Sequence, residues 1–330
     1  MTVASLAVLA CGGDDPAAKP AHQSTSGCSA APACDSCVTC FESCVCQGKT
    51  IEACADSCSS WSGAGGAGAS LQTVTIATAP RTIEAGGEAF FCQNFSNPFP
   101  GSVDVLRSES FMTPGSHHMF VFYEPGATDG PVEDCSGLEY KRTLHTAQTP
   151  QHLTSYPEGV GRRVDGSTGL RVAAHYFNSS TKPVEAVLVV KFAVAPTGTV
   201  DTLAGSLFFL NPGIYVEPYQ TGSATDTCAV PLDIQLIDVV SHMHRFGTSF
   251  SAQTGAGEAV YQTTDWDEPK PAVFDPPLAI GAGDSITYTC QYKNVLDTPL
   301  TFGESASTNE MCILSGTYFP APGGQTLGCN

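Results

Sequence analysis

Five of the eight histidines occur at spacings that could hold metal ions. The doublet His117-His118 is followed by His175, and the pair His242-x-His244 is followed by Met311. Imidazoles suit zinc, copper, iron and nickel, whereas a thioether strongly favours Cu(I) over zinc or magnesium. A site that combines two histidines with a methionine therefore indicates copper.

The elements that must position these side chains are β-strands. Alternate side chains of a strand share a face, so the sequence predicts that His242 and His244 point the same way. The adjacent His117 and His118 would point to opposite faces. Both can bind one ion only if the strand carries a bulge or a twisted end, which the Pro114-Gly115 pair upstream could supply.

Ordinary structural roles are the alternatives for these residues. A His-x-His pair on a strand also occurs as a hydrogen-bonded structural pair, and a single methionine such as Met311 is often a core residue. The surrounding sequence favours the metal sites.

Six stretches in register over residues 73–330 carry a resemblance to a known family. The chain resembles the copper type II ascorbate-dependent monooxygenases, which include dopamine β-monooxygenase and peptidylglycine α-hydroxylating monooxygenase. The stretches follow the family's order with similar intervals, and they are residues 90–92, 116–124, 174–178, 242–247, 283–290, and 302–303 leading to 310–312 and Tyr318.

The resemblance implies two unlike copper ions per chain. One is held by three histidines and delivers the second electron, and the other binds dioxygen and hydroxylates a nearby C–H bond. Hydroxylation with reduction of oxygen to water consumes two electrons, and the resemblance implies ascorbate as the reductant. The matching residues are His117, His118 and His175 for the first copper, and the catalytic set His242, His244 and Met311 for the second.

The cysteine count indicates an exported protein. The chain has 15 cysteines, and so many are improbable in a reducing compartment. An odd number leaves one over, and Cys11 is the natural candidate. It ends the apolar run 4–10, which looks like a bacterial lipoprotein signal whose cysteine becomes lipidated.

The other cysteines form two groups. Eight lie between residues 28 and 58, and six are dispersed through the rest of the chain. For the six, the resemblance implies three disulfides, which are Cys92–Cys135, Cys290–Cys312 and Cys228–Cys329. The spacing of Cys34, Cys37 and Cys40 is also compatible with a metal or an iron–sulfur cluster, but disulfides are favoured in an exported chain.

The amino-terminal region divides into four predicted parts. Residues 1–11 form the lipoprotein-type signal, 12–27 a tether, 28–58 a Cys-rich disulfide segment, and 59–72 a flexible Gly/Ala/Ser linker. No Lys or Arg precedes the apolar run, so the true start codon is expected upstream. The run is too short to span a bilayer. We expect a bacterial envelope or surface lipoprotein, or otherwise a secreted protein.

From residue 73 the chain shows short strands separated by turn residues, which predicts an all-β fold. The length favours two tandem jelly-roll-like β-sandwich domains, with a break near residues 196–201. The three-His site falls in a domain of residues 73–196, and the His-His-Met site in a domain of residues 201–330. The substrate is expected between them.

Charge restricts the partners. The formal net charge is −18, with only 14 Lys and Arg residues, so nucleic acid is an unfavourable partner and membrane contact is expected only through the lipid. The sequence does not indicate an oligomeric state.

The residues around the second site depart from the peptide-hydroxylating members of the family. Val240 stands where those members have the arginine that anchors a peptide carboxylate, and Ile313 and Ser315 replace their substrate-binding Asn and Tyr. With Tyr318, these residues predict a less polar pocket for a small-molecule or peptide C–H donor other than a glycine-extended peptide.

Two other functions compete with catalysis. An exported lipoprotein that binds or sequesters copper would keep the sites without an enzymatic reaction. A structural disulfide-rich surface protein with accidental histidines is the third hypothesis.

Overall fold

The computed structural model describes residues 40–60, 71–136 and 141–329. Two short helices, α1 (Cys40–Cys46) and α2 (Ile51–Cys58), precede a β-rich body, and a single 3-10 turn (Pro322–Gly324) lies near its end. The body consists of two β-sandwiches, which confirms the predicted fold class.

The first sandwich contains two main sheets. One has the order β1-β12-β4-β9-β13 with β8 also paired to β4, the other has the order β6-β3-β10-β5-β7, and β2 and β11 form a separate ribbon. The strands are β1 (Gln72–Ala77), β2 (Arg81–Ile83), β3 (Glu88–Phe95), β4 (Val103–Met112), β5 (Ser116–Pro125), β6 (Glu133–Asp134), β7 (Thr143–Ala147), β8 (Gln151–Ser155), β9 (Val160–Val164), β10 (Thr168–Phe177), β11 (Val184–Ala186), β12 (Leu188–Pro196) and β13 (Thr202–Leu203).

The second sandwich has one sheet of order β20-β17-β23-β14-β24, another of order β16-β21-β18-β19, and a small ribbon of β15 and β22. Its strands are β14 (Gly205–Leu210), β15 (Tyr215–Val216), β16 (Thr221–Ala229), β17 (Ile234–His242), β18 (Gly247–Thr254), β19 (Ala259–Thr263), β20 (Ala272–Ile280), β21 (Ser285–Lys293), β22 (Leu300–Thr301), β23 (Ile313–Phe319) and β24 (Leu327–Cys329).

The chain passes from the first sandwich to the second slightly later than expected. Strand β13 pairs in parallel with β9 of the first sandwich, so residues 202–203 still belong to the first sheet. The second sandwich begins with β14 at Gly205, a few residues beyond the predicted start at 201.

Burial patterns show which faces form the cores. In β16 and β21 buried and more exposed residues alternate, because one face of this sheet packs inward and the other meets solvent. In β12 every residue from 188 to 195 is buried. One face of β12 packs inside the first sandwich, and the helices cover part of its other face: Val189 packs in a cluster with Phe41 and Cys54.

Three disulfides cross-link strands within the two sandwiches and confirm the predicted pairings. Cys92–Cys135 lies in the first sandwich, and Cys228–Cys329 and Cys290–Cys312 lie in the second. Each bridge stays within one sandwich.

The described part of the Cys-rich segment is a helical hairpin docked on the first sandwich. Cys40–Cys58 and Cys44–Cys54 join α1 to α2. The buried ring of Phe41 packs against Phe111 of β4, with ring centroids 5.1 Å apart. The hairpin thus gains its core from the sandwich. Cys28, Cys34 and Cys37 lie outside the described residues.

The predicted linker is anchored at its start. The carboxylate of Glu109 is fully buried and accepts hydrogen bonds from the hydroxyl of Ser59 at 2.8 Å and from the amide and hydroxyl of Ser60. Gln151 donates to the same carboxylate at 2.9 Å. Ser59 and Ser60 are therefore fixed to the first sandwich, contrary to their place in the predicted flexible linker, because they hydrogen-bond a buried carboxylate.

The predicted signal with Cys11 and the tether 12–27 lie outside the described residues. Within the described ranges, no helix has the length and apolar character needed to cross a membrane. Five disulfides in these ranges are typical of an extracellular or secreted protein.

Candidate metal centre

A bulge in β5 brings the histidine doublet to one place. His118 of β5 pairs with His175 of β10, but the next residue of β10, Tyr176, pairs with Ser116. His117 is therefore an extra residue without a partner, which re-aims its side chain. The sequence requires such a bulge for joint binding, and the structure contains it. The ring of His117 lies 5.3 Å from that of His118 and 5.1 Å from that of His175, between centroids.

The second histidine pair lies where β17 ends. His242 is the last residue of β17, and His244 lies in a turn closed by a 3.0 Å hydrogen bond from the Gly247 amide to the His244 carbonyl. The two imidazoles are perpendicular, with centroids 5.1 Å apart. The strand end and the turn thus direct both side chains to the same site.

The fully buried carboxyl group of Glu310 holds this turn together. It accepts the amides of His244 at 2.9 Å, Phe246 at 2.7 Å and Met311 at 3.3 Å. Burial raises the pKa of Glu310 to about 8 against the opposing effect of these hydrogen bonds. One side chain therefore fixes the backbone around two of the predicted ligands.

The structure brings all five histidines into one cluster. The ring of His242 lies 4.8 Å from those of both His117 and His118, and the ring of His244 lies 5.6 Å from that of His117 and 6.1 Å from that of His175. One group of donor atoms, all within 4.8 Å of one another, joins His117 with His242 and His244. The two predicted sets thus contact each other instead of facing across an open cleft.

Hydrogen bonds between the sandwiches explain this contact. Arg162 donates to the Ser206 hydroxyl at 3.0 Å, and Arg142 donates to the carbonyl of Gly324 at 2.8 Å. Thr143 also hydrogen-bonds Ser206. Because these bonds join β7 and β9 to the second sandwich, they hold the histidine-bearing ends of the two domains face to face.

The five imidazoles are neutral at physiological pH. Burial is the main cause of the lowered pKa of every ring, and neighbouring imidazoles lower most of them further. The pKa of His244 falls to about 3. The pKa of His175 is also lowered by burial, although Glu88 opposes the shift, so the neutral ring of His175 makes a hydrogen bond to Glu88 and not an ion pair. A neutral imidazole is the form that binds metal.

The hydrogen-bonding state of the rings fits a metal centre. Among the described residues, each of the five histidines has a buried ring nitrogen without a partner, namely both nitrogens of His117, Nδ1 of His118 and His175, and Nε2 of His242 and His244. Buried polar atoms normally have partners. These orphaned nitrogens are therefore the atoms that would bind an ion.

Three of the rings use their other nitrogen in the way that metal-binding histidines do. Nε2 of His175 donates to Glu88 at 2.8 Å, Nδ1 of His242 to Gln148 at 2.9 Å, and Nδ1 of His244 to the Asn309 carbonyl at 3.1 Å. Such acceptors fix the tautomer and leave the opposite nitrogen free for the metal. The donor set fits copper, as imidazole and thioether ligands do.

Met311 lies beside the cluster and is almost fully buried. It packs with Leu210 and Ile313, and it lines a narrow gap together with His118 and His242. Met311 thus borders the histidine cluster, and it also contributes to packing.

A cavity of about 440 Å³ opens between the two sandwiches next to this gap. Phe120 and Phe208 line both the cavity and the gap, so the two rings separate the cavity from Met311. Much of its wall is apolar, with Phe122 and Leu210 among the lining residues, and Lys141 and Arg142 line it as well. A cavity of this size suits a small organic molecule.

The predicted pocket residues take different positions. Ser315 lines the cavity and Ile313 lines the gap. Val240 pairs with Ser315 in the sheet and is buried. Tyr318 packs in the core of the second sandwich, away from the cluster, because β23 directs alternate side chains to opposite faces.

The Thr-, Gln- and Pro-rich sequence around His145 and His152 is typical of a loop without metal ligands, but the two histidines lie in strands. They lie in β7 and β8 and are buried, with His145 hydrogen-bonded to the hydroxyls of Ser108 at 2.8 Å and Ser110 at 2.9 Å. The polar residues in these two strands give no indication in the sequence that the two histidines are buried. As expected, neither belongs to the five-histidine cluster.

Sequence reasoning also missed Glu88, Gln148 and Glu310, which support the ligands. The position of Glu310 next to Met311 is a signal that could have identified it, and Glu88 shares β3 with the motif at residues 90–92. Nothing in the sequence around Gln148 points to His242, because their contact depends on how the sandwiches dock.

We expect Glu310→Ala to lower the free energy of unfolding of the metal-free protein by about 2–5 kcal/mol, because several buried amides lose their acceptor. Glu310→Gln keeps an acceptor oxygen and should cost less than about 1 kcal/mol. Urea unfolding measures both. Equal losses in the two variants would contradict this role.

The pH dependence of the free energy of unfolding is a second measurement that tests the role of Glu310. The folded-state pKa of about 8 lies above the usual 4.5, so the protonated carboxyl group stabilises the fold most below about pH 4.5. Its contribution is lost as pH rises through about 8. Glu310→Gln should remove this dependence.

Comparison with protein-family models finds no match, and comparison with the curated proteins finds none either. Among solved structures, the chain is similar to PNGase F, a glycosylasparaginase from Flavobacterium meningosepticum, with a TM-score of 0.34 and 10% identity over 78% of this chain and 98% of that one. It is also similar to the major capsid protein P2 from Bacteriophage PM2, with a TM-score of 0.30 and 10% identity over 76% and 97% of the respective chains. Likenesses at this level carry no functional conclusion.

Proposed function

We propose that this protein is a copper-dependent monooxygenase that hydroxylates a C–H bond of a small molecule. The supporting observation is the cluster of five buried, neutral imidazoles with orphaned nitrogens, which lies beside Met311 and next to an apolar cavity. The resemblance of residues 73–330 to copper type II ascorbate-dependent monooxygenases supports the same proposal.

Two sets of residues would hold copper, namely His117, His118 and His175, and His242, His244 and Met311. Bound copper supplies one-electron redox chemistry and dioxygen activation. The reaction converts a C–H bond and dioxygen into a C–OH group and water, and it consumes two electrons and two protons. Ascorbate is the proposed electron donor.

The protein's own residues bind and orient the substrate. Phe120 and Phe122 stack with centroids 5.4 Å apart and an interplanar angle of 16°, and Phe208 lies on the opposite sandwich in the same cavity. Aromatic walls of this kind favour an apolar or aromatic substrate and exclude water from the reacting bond. The side of the cavity bounded by Phe120 and Phe208 is the side nearest Met311.

The uncharged side chain at position 240 argues against a glycine-extended peptide. Ser315 lies on the cavity wall, and Val240, beside it in the sheet, is buried and carries no charge. No carboxylate anchor stands at that position. The substrate class we propose is therefore a small molecule rather than a peptide terminus.

Export to the cell envelope or to the outside is part of the proposal. The five disulfides support export, and the apolar run ending at Cys11 supports a lipid anchor of the bacterial lipoprotein type. Copper chemistry driven by ascorbate would then take place outside the cytoplasm.

A copper-binding or copper-sequestering protein is the second candidate. The observation in its favour is that one donor group mixes the two sets, with His117 beside His242 and His244, and that all three residues are buried. The cavity next to Met311 favours catalysis, because a carrier has no use for a site that fits an organic molecule.

We expect His117→Ala to stop ascorbate-driven product formation while copper remains at the His242, His244 and Met311 set. The reason is that His117 is predicted to belong to the electron-delivering set. Copper analysis and product assay on the same sample measure both effects, with His22→Ala in the predicted tether as the control. Persistent product formation would contradict the assignment, and so would loss of copper from both sets.

A further inference from the structure

We propose that Glu88 and Gln148 are positioning residues that make each copper-binding set depend on the opposite domain. This inference rests on one part of the proposed function, namely that the histidines bind copper. It concerns residues that touch the predicted ligands from outside, and it assigns them a role in coupling the two sets.

Glu88 joins both domains through one carboxylate. Its Oε1 accepts the Nε2–H of His175 at 2.8 Å and the amide of Ala306 at 2.7 Å, and its Oε2 accepts the hydroxyl of Ser305 at 2.9 Å. Glu88 and His175 belong to the first sandwich, whereas Ser305 and Ala306 belong to the second. The acceptor that orients His175 is therefore itself held by the other domain.

The loop that holds Glu88 leads directly to the second set. Asn309, four residues after Ser305, donates its amide to the Ser305 carbonyl at 2.9 Å. The carbonyl of Asn309 accepts Nδ1–H of His244 at 3.1 Å, and Met311 follows two residues later. A continuous chain of hydrogen bonds and short backbone segments thus connects His175 with His244.

Gln148 makes the second copper-binding set depend on the first domain. It follows β7 of the first sandwich, is buried, and accepts Nδ1–H of His242 at 2.9 Å. This bond fixes the tautomer in which Nε2 of His242, which is buried without a partner, is available to an ion. A ligand of the second set is therefore oriented by a side chain of the first domain.

The chemistry of a carboxylate explains why glutamate is needed at position 88. An ionised carboxylate only accepts hydrogen bonds, and here every neighbouring group is a donor. An amide of the same shape keeps only a neutral oxygen for His175 and Ala306, and its NH2 group can only donate where the Ser305 hydroxyl now donates to Oε2. Glu88→Gln is thus a nearly isosteric change that removes the negative charge facing His175 and the acceptor for Ser305, and it should weaken the link between the two domains.

The test measures copper binding to the full chain. Competition with a chromophoric Cu(I) chelator gives the affinities, and X-ray absorption reports the sulfur ligand of Met311. We expect Glu88→Gln to weaken copper binding at both sets by about 10- to 100-fold. Gln148→Leu should weaken the His242, His244 and Met311 set by a similar factor and reduce the sulfur signal per copper. The exposed Glu158→Gln is the matched control and should change neither value.

A metal-free readout separates this inference from the proposed function. Nitrogen-15 NMR of the histidine rings reports the tautomers of His175 and His242 without copper. We expect Glu88→Gln to perturb the resonances of His175 and Gln148→Leu those of His242. A wild-type chain that binds no copper would overturn the proposed function. Unchanged ring resonances in both variants would, independently of copper, overturn the positioning roles of Glu88 and Gln148.

Ser305→Ala keeps the test decisive if Glu88→Gln does not fold. It removes one hydrogen bond to Glu88 from the second domain and leaves His175 untouched. We expect copper binding at the three-histidine set to weaken by about two- to tenfold. Two results would overturn the mutual dependence and leave the copper function standing. One is an unchanged copper affinity of the three-histidine set in Ser305→Ala, and the other is a loss of affinity in Glu88→Gln that is confined to that set.

Discussion

Met311→Leu should reduce hydroxylation by more than about a hundredfold, because loss of a ligand costs more than the 10- to 100-fold loss typical of groups that only support a ligand. Leucine has nearly the volume of methionine, so the packing against Leu210 and Ile313 should change little. The thioether is thus the main feature removed. Product formation with saturating ascorbate measures the effect, and copper should remain at the His117, His118 and His175 set.

Met112→Leu is the matched control for this prediction. Met112 is fully buried in the core of the first sandwich, so the exchange removes a thioether far from the proposed dioxygen site. Activity close to wild type is expected. Unchanged turnover in Met311→Leu would show that Met311 is a packing residue and would remove the copper assignment of the second set.

Removal of the Cys290–Cys312 disulfide should lower the free energy of unfolding by about 3 kcal/mol. The two cysteines are 22 residues apart, and the cost follows from the larger conformational entropy of the unfolded chain. The bridge also fixes the backbone next to Met311, whose carbonyl accepts the Tyr292 hydroxyl at 3.0 Å. We therefore expect Cys290→Ala with Cys312→Ala to weaken copper binding at the second set before the first.

The Cys228–Cys329 bridge provides a contrast in the same sandwich. Its cysteines are 101 residues apart, so its removal should cost about 4.7 kcal/mol. Neither cysteine is a neighbour of Met311 along the chain. Denaturant unfolding and copper titration of both double variants separate stability from ligand positioning. Equal loss of copper from the two sets in the Cys290→Ala, Cys312→Ala variant would contradict the local effect.

Local patterns in the sequence were sufficient to predict the strands, and the family resemblance predicted the three disulfides of the two sandwiches. Alternating apolar residues and turn residues indicate short strands, and the requirement that His117 and His118 act together predicts the bulge found in β5. These features depend on residues close together in the chain or on the family resemblance. Both sources of information are present in the sequence.

The contact between the two histidine sets could not be predicted in the same way. The ring of His117 lies 4.8 Å from that of His242, but this distance depends on side chains such as Arg162 and Ser206, which are far from both histidines in the sequence. The docking of α1 and α2 on β4 and β12 is similar, because the buried charge of Glu109 and the ring of Phe111 give no local signal of their partners.

The measurement that tests copper-dependent hydroxylation most directly is the incorporation of oxygen-18 from labelled dioxygen into product. The chain is reconstituted with copper, supplied with ascorbate, and assayed against a panel of small aromatic and alkyl compounds. We expect two copper ions per chain and one labelled oxygen atom in each molecule of hydroxylated product. A chain that retains no copper, or that retains copper and forms no labelled product with any member of the panel, would contradict the proposed function.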